Sequence, residues 1–141
     1  MLRIEHESEL SADETKQLYA GLLASDPVEH PRQFAPLILV LRDDQQTMIG
    51  ALTGATLWHW LSIDVLWIAV SHRGRGHGAA LVRRAESLAT ERGCRHARLD
   101  TFDFQARAFY ERQGYAVYGA LENFPLGHTQ FHLVKLLAGA S

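Results

Sequence analysis

Leu66-Trp67-Ile68-Ala69-Val70-Ser71-His72-Arg73-Gly74-Arg75-Gly76-His77-Gly78-Ala79 is the stretch that decides the fold. Its apolar beginning reads as the end of a strand. Glycines 74, 76 and 78 then break the extended pattern. Beyond them Leu81, Val82, Ala85, Leu88 and Ala89 recur at helical spacing, and Gly93 stands where a helix takes its C′ residue. A strand that enters a helix through such a loop aims several unpaired N–H groups, and the positive end of the helix dipole, at one spot. Glycines let a phosphate approach that backbone closely. The loop reads as a pyrophosphate cradle.

Upstream, Leu61 to Val70, Thr47 to Leu57 and Leu37 to Leu41 read as strands, with a turn at Asp43-Asp44-Gln45-Gln46. They follow each other too closely for helical crossovers, so an antiparallel meander is expected. Earlier still, Ser11-Ala12-Asp13-Glu14 fits a capping box. It opens a helix with Leu18, Tyr19, Leu22 and Leu23 as its stripe and Asp26-Pro27 as its stop. Leu2 and Ile4 suggest a short first strand, and residues 29 to 34 a helical turn. Downstream, 95 to 101 reads as a strand, and Ala106, Phe109 and Tyr110 mark a short helix ended by Gly114. Two last strands, 115 to 121 and 130 to 137, flank a turn at Pro125 and Gly127. The order β-α-β-β-β-α-β-α-β-β predicts a mixed α/β fold of about seven strands with helices on its faces. With no repeat or linker, 1–141 reads as one domain.

Net charge is −2, which argues against broad nucleic-acid binding, but its distribution is uneven. Residues 1 to 72 carry −6, whereas 73 to 112 carry +4 with nine arginines as their only cations, a segment suited to an anion. No uncharged run is apolar enough to span a membrane. The acidic start, MLRIEHESEL, does not resemble a secretory signal. Cys94 stands alone, which suits a reducing cytoplasm, and it reads as a small buried residue. The eight histidines show no metal-ligand spacing, so no metal is expected.

Gly74-x-Gly76-x-x-Ala79 also matches a dinucleotide fingerprint, with Asp100 26 positions beyond Gly74. That fingerprint belongs on a first strand leading into several βαβ units, and here hairpins precede it. The P-loop pattern fails, because no Gly-Lys-Ser/Thr closes the loop.

The stretch Leu66 to Gly78 resembles the acetyl-CoA motif of the GCN5-related N-acetyltransferases, a strand followed by Arg/Gln-x-x-Gly-x-Gly/Ala. Downstream, Ala106-Arg107-Ala108-Phe109-Tyr110-Glu111-Arg112-Gln113-Gly114-Tyr115 is similar to the family's second motif. The resemblance implies a mostly antiparallel sheet with one splayed parallel pair and helices on both faces. It also implies acetyl-CoA as co-substrate and transfer of the acetyl group to an amine by direct attack. The backbone of Leu66, Trp67 and Ile68 would hold the pantetheine arm, with the Ile68 N–H as oxyanion donor. Arg73, Gly74, Arg75, Gly76, His77, Gly78 and Ala79 would hold the pyrophosphate.

A protonated amine must lose a proton before it attacks. Asp64 is the candidate base. It lies four residues before Ile68, on the same face by period-2 alternation, and family members place a base at the matching position. Tyr110 matches the family tyrosine that serves the leaving thiolate. At Asp103 the chain departs from the family, which often has Asn there. Asp100 and Asp103 are lesser candidates for the base, or caps for the helix near Gln105. Trp58, His59 and Trp60, His72, and the turn from Glu122 to His128 are candidate rims of an acceptor site. The expected partner is a small or peptide-like amine, with no nucleic acid or membrane, and edge strands with family habit suggest a homodimer. Two other functions stay open: an acyl-CoA sensor without turnover, and a dinucleotide-binding oxidoreductase.

Overall fold

Ser11 and Glu14 close the capping box that the sequence predicts. The Ser11 hydroxyl accepts from the Glu14 N–H and the Glu14 carboxylate accepts from the Ser11 N–H, each at 3.1 Å. They start helix α1 (Ala12–Leu23), the only regular element of the first of two compact units, Met1–Pro31 and Arg32–Ser141. The computed structural model describes residues 1–137. Two expectations for the first unit are corrected. Residues 1–10 form no strand, because two alternating apolar residues supply a preference but no ladder. Near residue 30 there is a single turn, closed by the His30 N–H on the Pro27 carbonyl at 3.1 Å, and no helical turn.

In the second unit β1 (Ala35–Arg42), β2 (Met48–Leu57) and β3 (Trp60–Ile68) form the expected antiparallel meander. A short 3-10 turn, Val70–His72, and the glycine loop lead into α2 (His77–Glu91). Then come β4 (His96–Phe102), α3 (Arg107–Arg112), β5 (Ala116–Glu122) and β6 (Thr129–Leu136). The six strands lie in the order β1-β2-β3-β4-β6-β5, with β3 and β4 the parallel pair. The strand expected at Leu2 and Ile4 accounts for the difference from seven.

Leu37, Leu52, Leu61, Ile63, Ala97, Leu99 and Leu133 point to one face of the sheet. There they pack with Leu81, Val82, Ala85 and Ala89 of α2 and Tyr110 of α3. Cys94 is buried in the same cluster, and burial pushes its thiol pKa up, so it is an inert core residue. Glu86 of α2 is held from two sides, accepting from the Tyr115 hydroxyl at 2.8 Å and from Lys135 Nζ at 2.9 Å.

Two features of β3 set the geometry at its C-terminal end. Thr53 pairs with Val65 but Gly54 with Ile63, so Asp64 is the extra residue of a β-bulge. Gly54 makes the bulge possible, since a Cβ there would stand 2.1 Å from the Ser62 carbonyl oxygen. In addition, β3 and β4 pair only from Trp60↔His96 to Ile63↔Leu99, whereas β4 stays paired to β6 out to Phe102. Past Ile63 and Leu99 the two parallel strands part.

Candidate active site

The parting strands leave one edge of β3 without a neighbour, and the direction of its peptide groups follows from one hydrogen bond. The Ala69 N–H donates to the Ile49 carbonyl of β2 at 2.8 Å. In an extended chain successive N–H groups point to opposite edges. The N–H and C=O of Ile68 and of Leu66 therefore face the gap, and those of Trp67 face β2. Arg73 Nε caps the Ile68 carbonyl at 2.8 Å, tying the glycine loop to the strand end. The Ile68 N–H is left presented to the gap.

The loop finishes what the edge begins. Gly74 and Gly76 have φ of +75° and +83°, where L side chains are strained, and a Cβ on either would meet nothing within 4 Å. These positions need glycine for conformation, and the space above them is open. Gly76 is the N-cap of α2 and brings no side-chain cap, and the first helical bond is Ala80 N–H to Gly76 C=O at 3.0 Å. The N–H groups of His77, Gly78 and Ala79 thus have no acceptor within the helix, at the positive end of a 15-residue dipole. Arg75 is exposed beside them. A diphosphate is the ligand such a cradle fits.

Gly78 also seats α3, since a Cβ there would lie 3.4 Å from the Phe109 ring. Next to Phe109 stands Tyr110, 7% exposed, its ring edge-on to Phe109 and Tyr115. Burial pushes its pKa up to about 12. Among the described residues its hydroxyl takes no hydrogen bond, although Tyr115 beside it donates to Glu86. Tyr110 is thus held neutral with a donor to spare.

At the mouth of the gap, Asp64 and Asp100 are the first residues past the last β3–β4 rung. The alternation argument that joined Asp64 to Ile68 is corrected by the bulge. Asp64 is exposed, whereas Ile68 packs against the core. Asp64 still lies at the mouth, on the face away from α2. Asp100 is engaged there too, with Oδ1 2.6 Å from Nδ1 of His132 and 3.6 Å from Arg98 Nη2. His132 escaped the sequence reading, because it meets Asp100 only through the β4–β6 register.

Neither Asp100 nor Asp103 caps α3. The hydroxyl of buried Thr101 accepts from the Ala106 N–H at 3.4 Å, and Gln105 Oε1 accepts from the Phe102 N–H at 3.2 Å. Asp103 instead grips the β5–β6 turn, meeting His128 Nδ1 at 2.9 Å and accepting from the Thr129 N–H at 3.0 Å. The His128 hydrogen bond, followed by that of Thr129, holds its pKa below the usual carboxylate value against some desolvation.

The rim expected at Trp58, His59 and Trp60 is also corrected. These residues lie at the other end of β3, roughly 25 Å from Ile68 at one strand residue per 3.3 Å. There Trp60 stacks on His96 at 4.5 Å and His59 meets the Gly93 carbonyl at 3.0 Å. His72 is engaged by Ser71 at 3.0 Å. The turn from Glu122 to His128 does stand at the open end. Among the described residues no group of three or more His, Cys, Asp or Glu gathers to hold a metal, and no helix is long and apolar enough to cross a membrane.

Comparison with known proteins agrees with this geometry. The model of the acetyltransferase (GNAT) family matches residues 2–115. A blasticidin-S acetyltransferase of Streptomyces morookaense is 36% identical over 116 residues, 82% of this chain and 85% of its own length. The acetyltransferase Atu2258 of Agrobacterium fabrum is 35% identical over 99 residues, 70% of this chain and 72% of its own. The crystal structure of an acetyltransferase from Bacillus cereus superposes with a TM-score of 0.86 at 32% identity, covering 96% of this chain and 98% of that one.

Proposed function

The chain belongs to the GNAT acetyltransferase family, and from that premise we propose that it moves an acetyl group from acetyl-CoA to a primary amine by direct attack in a ternary complex. One observation carries the proposal: the open edge of β3 leads, through the 3-10 turn and the glycine loop, to the uncapped N-terminus of α2. The pantetheine arm pairs with the outward peptide groups of Leu66, alongside Trp67, and the acetyl carbonyl lies at the Ile68 N–H. The pyrophosphate rests on His77, Gly78 and Ala79, with Gly74 and Gly76 shaping the cradle and Arg75 adding charge. Arg73 holds the loop against the strand.

In the reaction the amine nitrogen attacks the thioester carbonyl carbon and the carbonyl oxygen becomes an oxyanion, which accepts from the Ile68 N–H. A donor so placed is worth about 3–4 kcal/mol in the transition state. An amine of lysine-like pKa, about 10.4, is neutral in only about one molecule in 2,500 at pH 7. Asp64 is the proposed base, taking the ammonium proton through water at the exposed mouth. As the tetrahedral intermediate collapses the C–S bond breaks, the thiolate leaves, and the attacking nitrogen gives up its second proton to solvent to become the neutral amide. Tyr110, with a pKa near 12, serves as a hydrogen-bond donor to the thiolate. Full transfer to a thiolate of conjugate-acid pKa about 8.5 would be uphill by roughly 5 kcal/mol, so the proton comes from Asp64 or solvent.

The acceptor we place here is a small-molecule amine. The blasticidin-S acetyltransferase that the chain resembles over most of its length supports that class. The setting is the cytoplasm, where the lone Cys94 remains a thiol. Thiol release from acetyl-CoA across a panel of small amines tests the proposal. Asp64→Asn is expected to lower kcat/KM at pH 7 by tenfold or more without weakening acetyl-CoA binding. Full turnover in that variant would remove Asp64 as the base.

A further inference from the structure

A group of aromatic rings stands beyond the mouth of the gap and takes no part in the acetyl transfer itself. Phe102 and Phe104 stack at 5.1 Å with their planes 13° apart. Phe124 lies 5.8 Å from Phe102, and His128 meets the Phe104 ring edge-on at 5.0 Å. Half of the surface of Phe104 and Phe124 is exposed. Isolated exposed phenyl rings are ordinary, but four rings fixed in one place are not.

The backbone that carries them is braced from three sides. Asp103 holds His128 and the Thr129 N–H. Asn123 accepts from the Gly127 N–H at 3.2 Å, and the Phe124 N–H donates to the His128 carbonyl at 3.1 Å. Phe104 and Phe124 stay half exposed on a turn that these hydrogen bonds fix to the start of β6.

Register relates them to the mouth. Phe102 follows Asp100 by two residues on the same strand face, about 7 Å further on. A molecule lying on the rings therefore points its near end at Asp100 and Asp64, two carboxylates just past the last paired rung, of which Asp100 also meets His132 and Arg98. A flat apolar surface next to negative charge matches a ligand that joins a flat ring to a cation.

Resting on the acetyltransferase reading, we propose that Phe102, Phe104, Phe124 and His128 form a stacking shelf that selects acceptors whose amine is carried by an aromatic or heteroaromatic ring, with the ammonium end at Asp64 and Asp100. A saturated ring of the same size and charge loses the stacking and is a poorer acceptor.

The test compares 2-phenylethylamine with 2-cyclohexylethylamine in acetyl-CoA thiol release, on the wild type and on Phe104→Ala, Phe124→Ala and Phe104→Leu. The leucine variant keeps bulk but not aromaticity, and acetyl-CoA-induced thermal stabilisation reports that each variant is folded. The proposal expects the aromatic amine to be favoured about fivefold to tenfold in kcat/KM. Each variant should bring the two amines to within about threefold of each other, chiefly by raising KM for the aromatic one. Equal use of both amines by the wild type, or variants that lower both alike, would overturn the shelf. So would release from neither amine while acetyl-CoA still stabilises the protein, an outcome that leaves the cofactor reading standing. No stabilisation and no release would overturn both.

Discussion

Proline placed at two adjacent positions of β3 separates the chemical role of its backbone from the structural one. Proline removes one N–H and favours φ near −65°, which a strand accepts when that N–H is not in a ladder. The Trp67 N–H points at β2, across the Ala51↔Trp67 rung, so Trp67→Pro breaks a ladder bond inside the sheet. With the steric conflict included, that costs about 3 kcal/mol or more, equivalent to roughly 10 °C in Tm for a chain of this size. Ile68 differs, because its N–H faces the gap. Ile68→Pro loses no ladder bond, and its stability cost is limited to trimming the side chain that packs against the core, about 1 kcal/mol. It does lose the oxyanion donor, which is worth about 3–4 kcal/mol and so predicts a fall of 10²- to 10³-fold in kcat. Thermal unfolding of both variants, with single-turnover acetyl transfer by Ile68→Pro, checks the pair. Acetyl transfer by Ile68→Pro within threefold of the wild type would show that the Ile68 N–H is not the oxyanion donor. The reasoning also fails if the two prolines destabilise equally, since the Ile68 N–H would then belong to the ladder.

Tyr110→Phe keeps the packed ring and loses only the free donor, so kcat should fall at least tenfold with acetyl-CoA affinity within about threefold, measured by calorimetric titration beside steady-state rates. Gly76→Ala introduces no clash, yet it forces an L residue to φ +83°. A loss of about 1–2 kcal/mol, read as a Tm lower by roughly 3–7 °C, is expected together with weaker acetyl-CoA binding as the loop relaxes out of that conformation. The buried tyrosines predict an alkaline limit. Tyr110 titrates near 12 in the folded chain and near 10 when unfolded, so above pH 10 the unfolded state loses its proton first and stability falls. About two pKa units correspond to roughly 2.7 kcal/mol lost by pH 12, and Tyr110→Phe should flatten the slope of Tm against pH above 10.

The parts of this molecule legible in the sequence are those written in local signals. The capping box at Ser11 and Glu14, the C′ glycines at 93 and 114, and the turn residues that bound the strands each need only a few neighbouring residues. Signals of this kind mark most of the element boundaries. The glycine loop was legible for the same reason, since what makes it an anion cradle lies within seven residues. What escaped depends on register between distant strands. The bulge at Asp64 comes from Gly54 pressed against the Ser62 carbonyl, and no periodicity within β3 predicts it. His132 meets Asp100 across 32 residues of chain, and the aromatic shelf joins the β4–α3 loop to the β5–β6 turn. Trp58, His59 and Trp60 misled in the converse way. Their composition suits a binding rim, but they sit where the parallel pair is closed.

The central claim is that the open edge of β3 and the N-terminus of α2 form one site for an acyl-CoA. Calorimetric titration of the purified protein with acetyl-CoA, with CoA, 3′-dephospho-CoA and NAD as competitors, tests it most directly. The account predicts saturable binding of acetyl-CoA at a stoichiometry of one per chain, displaced by both CoA species and not by NAD, and weakened in Gly76→Ala. Absence of acetyl-CoA binding, or binding that NAD displaces as readily as CoA does, would contradict it.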